Sequence, residues 1–189
     1  GGVGREIPAT LQDSLAARLD RLGRARDLAQ LGSVLGREFS YELLRAVSQA
    51  SDAELHADLA RLADAELIYA RGLPPDATYR FKHALTQDAA YDALLKSRRR
   101  ELHALVARTI ADRFPSIAEA QPEMLARHWT QAEESKPAID AWKAAGHAAY
   151  ERRAFKEAEE GYRQALTVLM SQPESPERDV TELELRGAL

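Results

Sequence analysis

The 189-residue sequence has no cysteine, few aromatic residues and no long apolar run. The absence of cysteine excludes disulfide frameworks and thiolate metal sites, which fits a reducing compartment such as the cytoplasm. No stretch of about 18 apolar residues occurs, so the sequence predicts no membrane-spanning helix. The formal net charge of −4 argues against a dedicated nucleic-acid binder, for which a basic surface is expected.

Motifs for catalysis are also missing. No glycine-rich phosphate-binding loop occurs, and residues 1–4 are followed by Arg5 and Glu6 instead of the lysine that such a loop needs. The five histidines are not at metal-ligand spacing, and no serine lies in a nucleophile elbow. The sequence therefore predicts neither an enzyme nor a metal or cofactor site confined to these residues.

A series of amphipathic helical patterns fills the first third of the chain. Leucines recur every three or four residues within residues 11–22, 28–35 and 55–62, as expected for one apolar face of each helix. Gly36 is expected to end the second helix. Ser40 is suited to cap a short helix after it, and Ser51 has capping-box spacing with Glu54.

A different pattern follows in residues 67–83. An apolar run at residues 67–70 is followed by turn residues and then by strict alternation, with Tyr79, Phe81 and His83 on one face. The sequence predicts a β-hairpin, and one hairpin closing a three-helix unit is the signature of a winged helix. We assign the winged helix to residues 10–95, after a linker at residues 1–9.

The pattern of apolar residues predicts helices in the rest of the chain. Pro115 is expected to end one helix of a connector at residues 96–135, and Pro122 to lie in the first turn of another. From residue 136 a tetratricopeptide-like pattern of large and small residues appears. It comprises Trp142, Gly146, Phe155, Ala158, Tyr162 and Ala165.

A second repeat is expected to begin with Val180, Leu183 and Leu185 and to be truncated at residue 189. Stacked repeats cover one another's apolar faces, so we expect the chain to be part of a longer protein. The predicted fold class is thus mainly α, with one hairpin, a helical connector and the start of an α-solenoid.

Two stretches of the sequence resemble one family. They are Phe81, Lys82, His83, Ala84 and Leu85 with Tyr91, Leu94, Leu95, Arg99, Leu102 and His103, and the opening residues 7–22. Both are similar to the winged-helix region of signal-transduction ATPases with numerous domains, and the opening to the branch associated with bacterial adenylate and guanylate cyclases. The resemblance implies an upstream nucleotide-binding module, with ADP or ATP as the cofactor of the parent protein.

The resemblance also implies a role for His83. In related switch ATPases a Met-His-Asp motif directs its histidine at the phosphates of bound ADP. His83 matches that histidine, whereas Lys82 replaces the methionine and Ala84 the aspartate. Two interpretations stand: His83 senses nucleotide, since an imidazole can donate a hydrogen bond to phosphate, or it completes the inner face of the strand. The packing interpretation is favoured.

The basic run Lys96, Arg98, Arg99 and Arg100 also has two interpretations. It could bind phosphates or an acidic partner surface. The favoured interpretation is a solvated hinge between two helices, because cations stabilise the C-terminal end of the preceding helix.

These patterns predict a regulatory segment that couples the nucleotide state of a neighbouring module to a protein partner bound by the repeats. Trp142, Phe155 and Tyr162 are candidate partner contacts, although the pattern is more typical of a repeat core. One alternative is an interaction scaffold without nucleotide coupling. The other is a DNA-binding regulator, which is disfavoured because the third core helix, residues 51–66, carries five acidic residues and one arginine.

Overall fold

The computed structural model describes residues 9–189, with side chains from residue 14 onward. This part of the chain forms eleven helices and three strands and is mainly helical. In chain order they are α1 (Ala9–Asp20), α2 (Arg24–Leu35), β1 (Glu38–Ser40), α3 (Tyr41–Ser48), α4 (Asp52–Asp64), β2 (Ile68–Arg71), β3 (Thr78–Phe81), α5 (Ala84–Asp92), α6 (Lys96–Arg113), α7 (Pro115–Ala120), α8 (Pro122–Gln131), α9 (Ser135–Glu151), α10 (Phe155–Met170) and α11 (Pro176–Ala188).

The chain divides into two compact units, with the boundary after Arg99. Unit 1 holds α1 to α5 and the sheet, and unit 2 runs from Arg100 to Leu189. Of the predicted linker at residues 1–9, all but Ala9, the first residue of α1, lies outside the described residues. No helix in the described part combines the length and apolar character needed to cross a bilayer.

The core of unit 1 forms between the sheet and α2. The three antiparallel strands lie in the order β1-β3-β2. Their inward side chains include Phe39, Tyr79 and Phe81, and the rings of Phe39 and Phe81 meet edge to face at 5.9 Å. Gly32 of α2 lets the sheet approach, because a Cβ there would lie 2.9 Å from the Phe39 ring.

The third strand is an addition to the predicted hairpin. Phe39 of β1 pairs with Tyr79 of β3. Three residues are too few to show a two-residue period, and Tyr41 begins a helix immediately afterwards. The strand therefore left no pattern that sequence reasoning could detect.

Helix ends in unit 1 follow the predicted local chemistry. Gly36 ends α2, and its N–H donates to the carbonyl oxygen of Gly32. The Ser40 hydroxyl accepts from the N–H of Leu43 at 3.2 Å. Ser51 and Glu54 form the complete capping box, in which each side chain accepts from the other residue's backbone. These predictions are confirmed.

The core of unit 2 lies among α8, α9, α10 and α11. It consists of Ala126, Ile139, Trp142, Ala145, Ala165, Leu169 and Leu185. Helices α9 and α10 cross at Gly146 and Gly161, where a Cβ on Gly161 would lie 2.8 Å from the Cα of Gly146. The two backbones thus meet with no side chain between them.

Two features of the helices in unit 2 differ from expectation. After α6 ends, Pro115 begins α7, which was not predicted, because a proline that cannot continue one helix is well suited to the first turn of the next. On α11, Leu185 is buried, but Val180 and Leu183 are 58% and 73% exposed.

Candidate functional site

His83 lies at the junction between β3 and α5. It precedes the first residue of α5 with an extended backbone, and its side chain makes no capping hydrogen bond. Tyr79 and Phe81 are buried as predicted, but His83 is exposed. The favoured packing interpretation is therefore wrong. Because the strand ends at Phe81, the two-residue alternation no longer reports burial at His83.

Lys82, the residue before this histidine, is held in place. Its backbone N–H donates to the carbonyl oxygen of Leu67 at 3.0 Å. Its ammonium lies 3.4 Å from the Glu66 carboxylate and 4.7 Å from the centre of the Tyr69 ring. By contrast, the His83 imidazole forms no hydrogen bond or ion pair with any of the described residues, although the His83 carbonyl oxygen accepts from the N–H of Thr86 at 3.1 Å. The backbone before His83 is thus held by hydrogen bonding, and the His83 imidazole is exposed to solvent.

Two arginines flank the same end of the sheet. The carbonyl oxygen of Arg37 accepts from the N–H of Phe81, and Arg80 is opposite Glu38 in the strand register. Both side chains are exposed, and neither forms an ion pair within the described part. Both arginines thus place positive charge at this end of the sheet, where the exposed Glu38 adds a negative charge.

The acidic third core helix, α4, forms ion pairs with arginines of unit 1. Arg24 reaches Glu54 at 2.6 Å and Asp58 at 3.0 Å. Hydrogen bonds from Arg24, and secondarily from Ser51, lower the pKa of Glu54 to about 2. Asp52 pairs with Arg45 at 2.6 Å. These carboxylates thus pair with exposed arginines of unit 1.

The basic run forms the first turns of α6. The favoured interpretation placed it in a hinge, but the intervening turn ends at Leu95. Within unit 1, the Arg99 guanidinium donates to the carbonyl oxygens of Leu94 and Asp92 and lies 4.5 Å from the centre of the Tyr91 ring. Arg99 thus satisfies carbonyls at the C-terminal end of α5, as cations near a helix end do.

Arg100 of the same run lies in unit 2 and pairs with Glu133 at 2.7 Å. Lys96 and Arg98 are exposed. Arg99 and Arg100 thus bind the protein's own carbonyls and carboxylates.

The predicted repeat aromatics have separate surroundings in unit 2. Trp142 is buried and donates its indole N–H to the Thr130 hydroxyl at 2.9 Å. The partly buried ring of Tyr162 covers Gly146. Phe155 is 60% exposed and meets Tyr150 edge to face, so its assignment to a repeat core is wrong. Phe155 is the first residue of α10, and a side chain at the end of a helix can extend beyond the helix that packs against it.

A groove of about 450 Å³ runs between α8 and α10 over α9. Its floor contains Trp142 and Gly161, and its walls carry charged and amide side chains. These include Arg127, Lys156, Glu157, Glu160 and Gln164. No sequence pattern predicts the groove, because it arises from the packing of three helices.

Two histidines that the sequence analysis set aside meet inside unit 2. The Nδ1 atoms of His103 on α6 and His128 on α8 lie 2.9 Å apart, and both side chains are buried. Burial and, secondarily, the neighbouring His103 lower the pKa of His128 to about 4. The signal that could have found them is their spacing. His103 falls in the apolar stripe with Val106 and Ile110.

Within residues 9–189, no group of three or more His, Cys, Asp or Glu side chains could hold a metal ion.

Comparison with known proteins gives one relative. An uncharacterized protein of Rhizobium meliloti (strain 1021) is 27% identical over 176 residues, which is 93% of this chain and 17% of that protein. The chain thus spans about a sixth of the length of the curated relative that it matches. No protein-family model and no solved structure matches the chain.

Proposed function

We propose that this chain is a non-catalytic regulatory segment of a multidomain signalling ATPase. In this proposal unit 1 is a winged helix that contacts a nucleotide-binding module elsewhere in the parent protein. Unit 2 begins a tetratricopeptide-like array that binds a protein partner. Binding of the partner and of ADP or ATP would then bias one closed-to-open equilibrium, provided each ligand has different affinities for the two states.

The order of elements supports the winged-helix assignment. Helix α2, strand β1, helices α3 and α4, and strands β2 and β3 follow one another as three core helices and a three-stranded antiparallel sheet. The acidic α4 and its ion pairs favour a protein-facing role over DNA binding.

The observation that carries the proposal is the exposure of His83. An imidazole that packs into no core and bonds to no neighbour in the described part, beside the exposed Arg37 and Arg80, is placed to reach a group outside unit 1. A phosphate oxygen fits this surface, because it accepts from an imidazole N–H and is attracted by both guanidinium groups.

The test uses the full-length protein that the proposal requires. His83→Ala should weaken ADP binding about tenfold, the loss expected for one hydrogen bond to a charged group. ADP affinity is measured by calorimetry on the nucleotide-free protein. His56→Ala is the matched control, because His56 is also exposed in unit 1 but lies on α4. Equal ADP affinity and equal basal activity in wild type and His83→Ala would refute the sensing role.

The groove in unit 2 favours a second candidate, an interaction scaffold without nucleotide coupling. Arg127, Lys156 and Glu157 in its walls form no ion pair within the described residues, so they are free to bind a partner's charges. A partner that binds with the same affinity in ADP, in ATP and without nucleotide would favour the scaffold. Affinity that changes with the nucleotide would favour the switch.

A further inference from the structure

The buried histidine pair in unit 2 joins two helices by one hydrogen bond. His103 and His128 have their ring centres 5.1 Å apart, with the Nδ1 atoms at 2.9 Å. A bond between two imidazole nitrogens needs one Nδ1 that carries the proton and one that does not. The neutral rings must therefore adopt different tautomers at these two positions.

Protonation changes this arrangement in two steps. The first proton leaves the Nδ1 hydrogen bond intact but places a positive charge in a buried contact, which is unfavourable without compensation. A second proton leaves two N–H donors facing each other at hydrogen-bond distance, and no bond can form. Each step favours a conformation in which the rings reach water.

The surrounding charges do not offset this effect at His128. Across the same two helices, Glu133 and Glu134 follow α8 and pair with Arg100 and Arg108 of α6. Burial and His103, both of which disfavour the charged ring, account for the lowered pKa of His128. The remaining charged side chains on α6, α7, α8 and α9, the elements near the pair, are mostly exposed. Those that belong to unit 2 are Glu101, Asp112, Arg113, Glu119, Glu123, Arg127, Lys136, Asp140, Lys143, His147 and Glu151, and the part of α6 that belongs to unit 1 adds Lys96, Arg98 and Arg99.

We propose that the His103–His128 pair is an acid-sensitive latch that holds α6 against α8 at neutral pH and releases it as the pair takes up protons. An opened or unfolded unit 2 exposes both rings to water, where a histidine has a pKa near 6.5. Acidification therefore shifts the equilibrium toward the open form. The latch gives unit 2 a response to pH between about 6.5 and 4, a range that begins well above the ordinary pKa values of carboxylates.

The experiment compares the 189-residue chain at pH 7.5 and pH 5.0. We expect the thermal midpoint of unit 2 to fall by roughly 5 °C or more in the wild type. Amide protons of α8 should also exchange faster after correction for intrinsic rates. In His128→Gln both pH effects should shrink to less than half, because an amide can hydrogen bond to His103 without titrating. His147→Gln is the matched control: His147 is exposed on α9, and this variant should keep the full response.

Two outcomes would overturn the latch. One is an equal pH response in the wild type and in His128→Gln. The other is nuclear magnetic resonance of the folded wild type showing both rings protonated with ordinary pKa values near 6.5 and α8 still protected from exchange. The second measurement needs no variant, so it decides the matter even if His128→Gln does not fold. In that case His103→Gln provides the variant comparison.

Discussion

Aromatic rings and branched side chains fill the interior of unit 1, whereas small residues, one indole and two imidazoles fill much of that of unit 2. In unit 1, Phe39, Tyr79 and Phe81 pack from the sheet toward α2. In unit 2, helices approach through alanines and through the Gly146–Gly161 crossing. Large side chains thus fill the space between the sheet and α2, whereas the close approach of α9 and α10 requires small residues.

The two units also differ in how they treat a buried ionisable group. Asp58 of unit 1 is buried and has the guanidinium of Arg24 at 3.0 Å. His128 of unit 2 is buried and faces a second histidine. The buried carboxylate thus has a cation as its neighbour, whereas the buried imidazole has a second imidazole, and burial together with His103 lowers the pKa of His128. The pKa of Glu54, which also pairs with Arg24, is lowered as well, so acid should act on the two units at different pH values.

The largest expected effect concerns the aromatic core of unit 1. Phe81 is fully buried, so Phe81→Ala should lower the free energy of unfolding by about 3–5 kcal/mol. Phe155→Ala, the control in unit 2, should change it by less than about 0.5 kcal/mol because Phe155 is 60% exposed. Urea unfolding followed by circular dichroism measures both. Equal losses would mean that Phe155 packs in a core after all.

The next effect is that the two units should lose stability at different pH values. The folded pKa of His128, about 4, is below its unfolded value of 6.5, so the stability this histidine confers is present above pH 6.5 and lost as pH falls toward 4. The difference corresponds to about 3 kcal/mol. Glu54 has a folded pKa of about 2 against 4.5, so its contribution to unit 1 is lost only between pH 4.5 and 2.

Hydrogen exchange resolved by residue measures this order. Amides of α8 should lose protection at a higher pH than those of α4. Loss of protection in α4 first, or in both helices at one pH, would contradict the contrast between Glu54 and His128.

The smallest effect concerns the glycine crossing. Gly161→Ala gains helix propensity but places a Cβ 2.8 Å from the backbone of Gly146, and we expect a net loss of about 1–2 kcal/mol. Gly187→Ala is the control, because a Cβ there meets nothing within 4 Å. Both tryptophans, Trp129 and Trp142, lie in unit 2, so their fluorescence during urea unfolding reports on that unit. An unchanged midpoint for Gly161→Ala would show that the helices can move apart at little cost.

Sequence reasoning succeeded where one local cause decides the structure. The Ser51 capping box depends on two residues three positions apart, and the end of α2 at Gly36 depends on one residue. The burial of Leu55, Leu59 and Leu62 follows from helical spacing alone. These features need no knowledge of the remaining chain.

Sequence reasoning failed where the cause lies elsewhere in the chain. Strand β1 exists because Phe39 pairs with Tyr79, 40 residues later. The histidine pair joins positions 25 residues apart, and neither position alone indicates the other. At His83 the alternation of β3 was extrapolated beyond its last paired residue. The exposure of His83 was thus missed, and its role in nucleotide sensing stays a prediction.

The crossing of α9 and α10 has a consequence for how this sequence can diverge. Interfaces made of side chains tolerate substitution, since a larger residue on one helix can be matched by a smaller one on the other. Where main chain touches main chain, no such exchange exists. Mutation can therefore change the outer surfaces of both helices, and even residue 146 together with the Tyr162 ring that covers it, while position 161 accepts only glycine as long as the two backbones keep this separation.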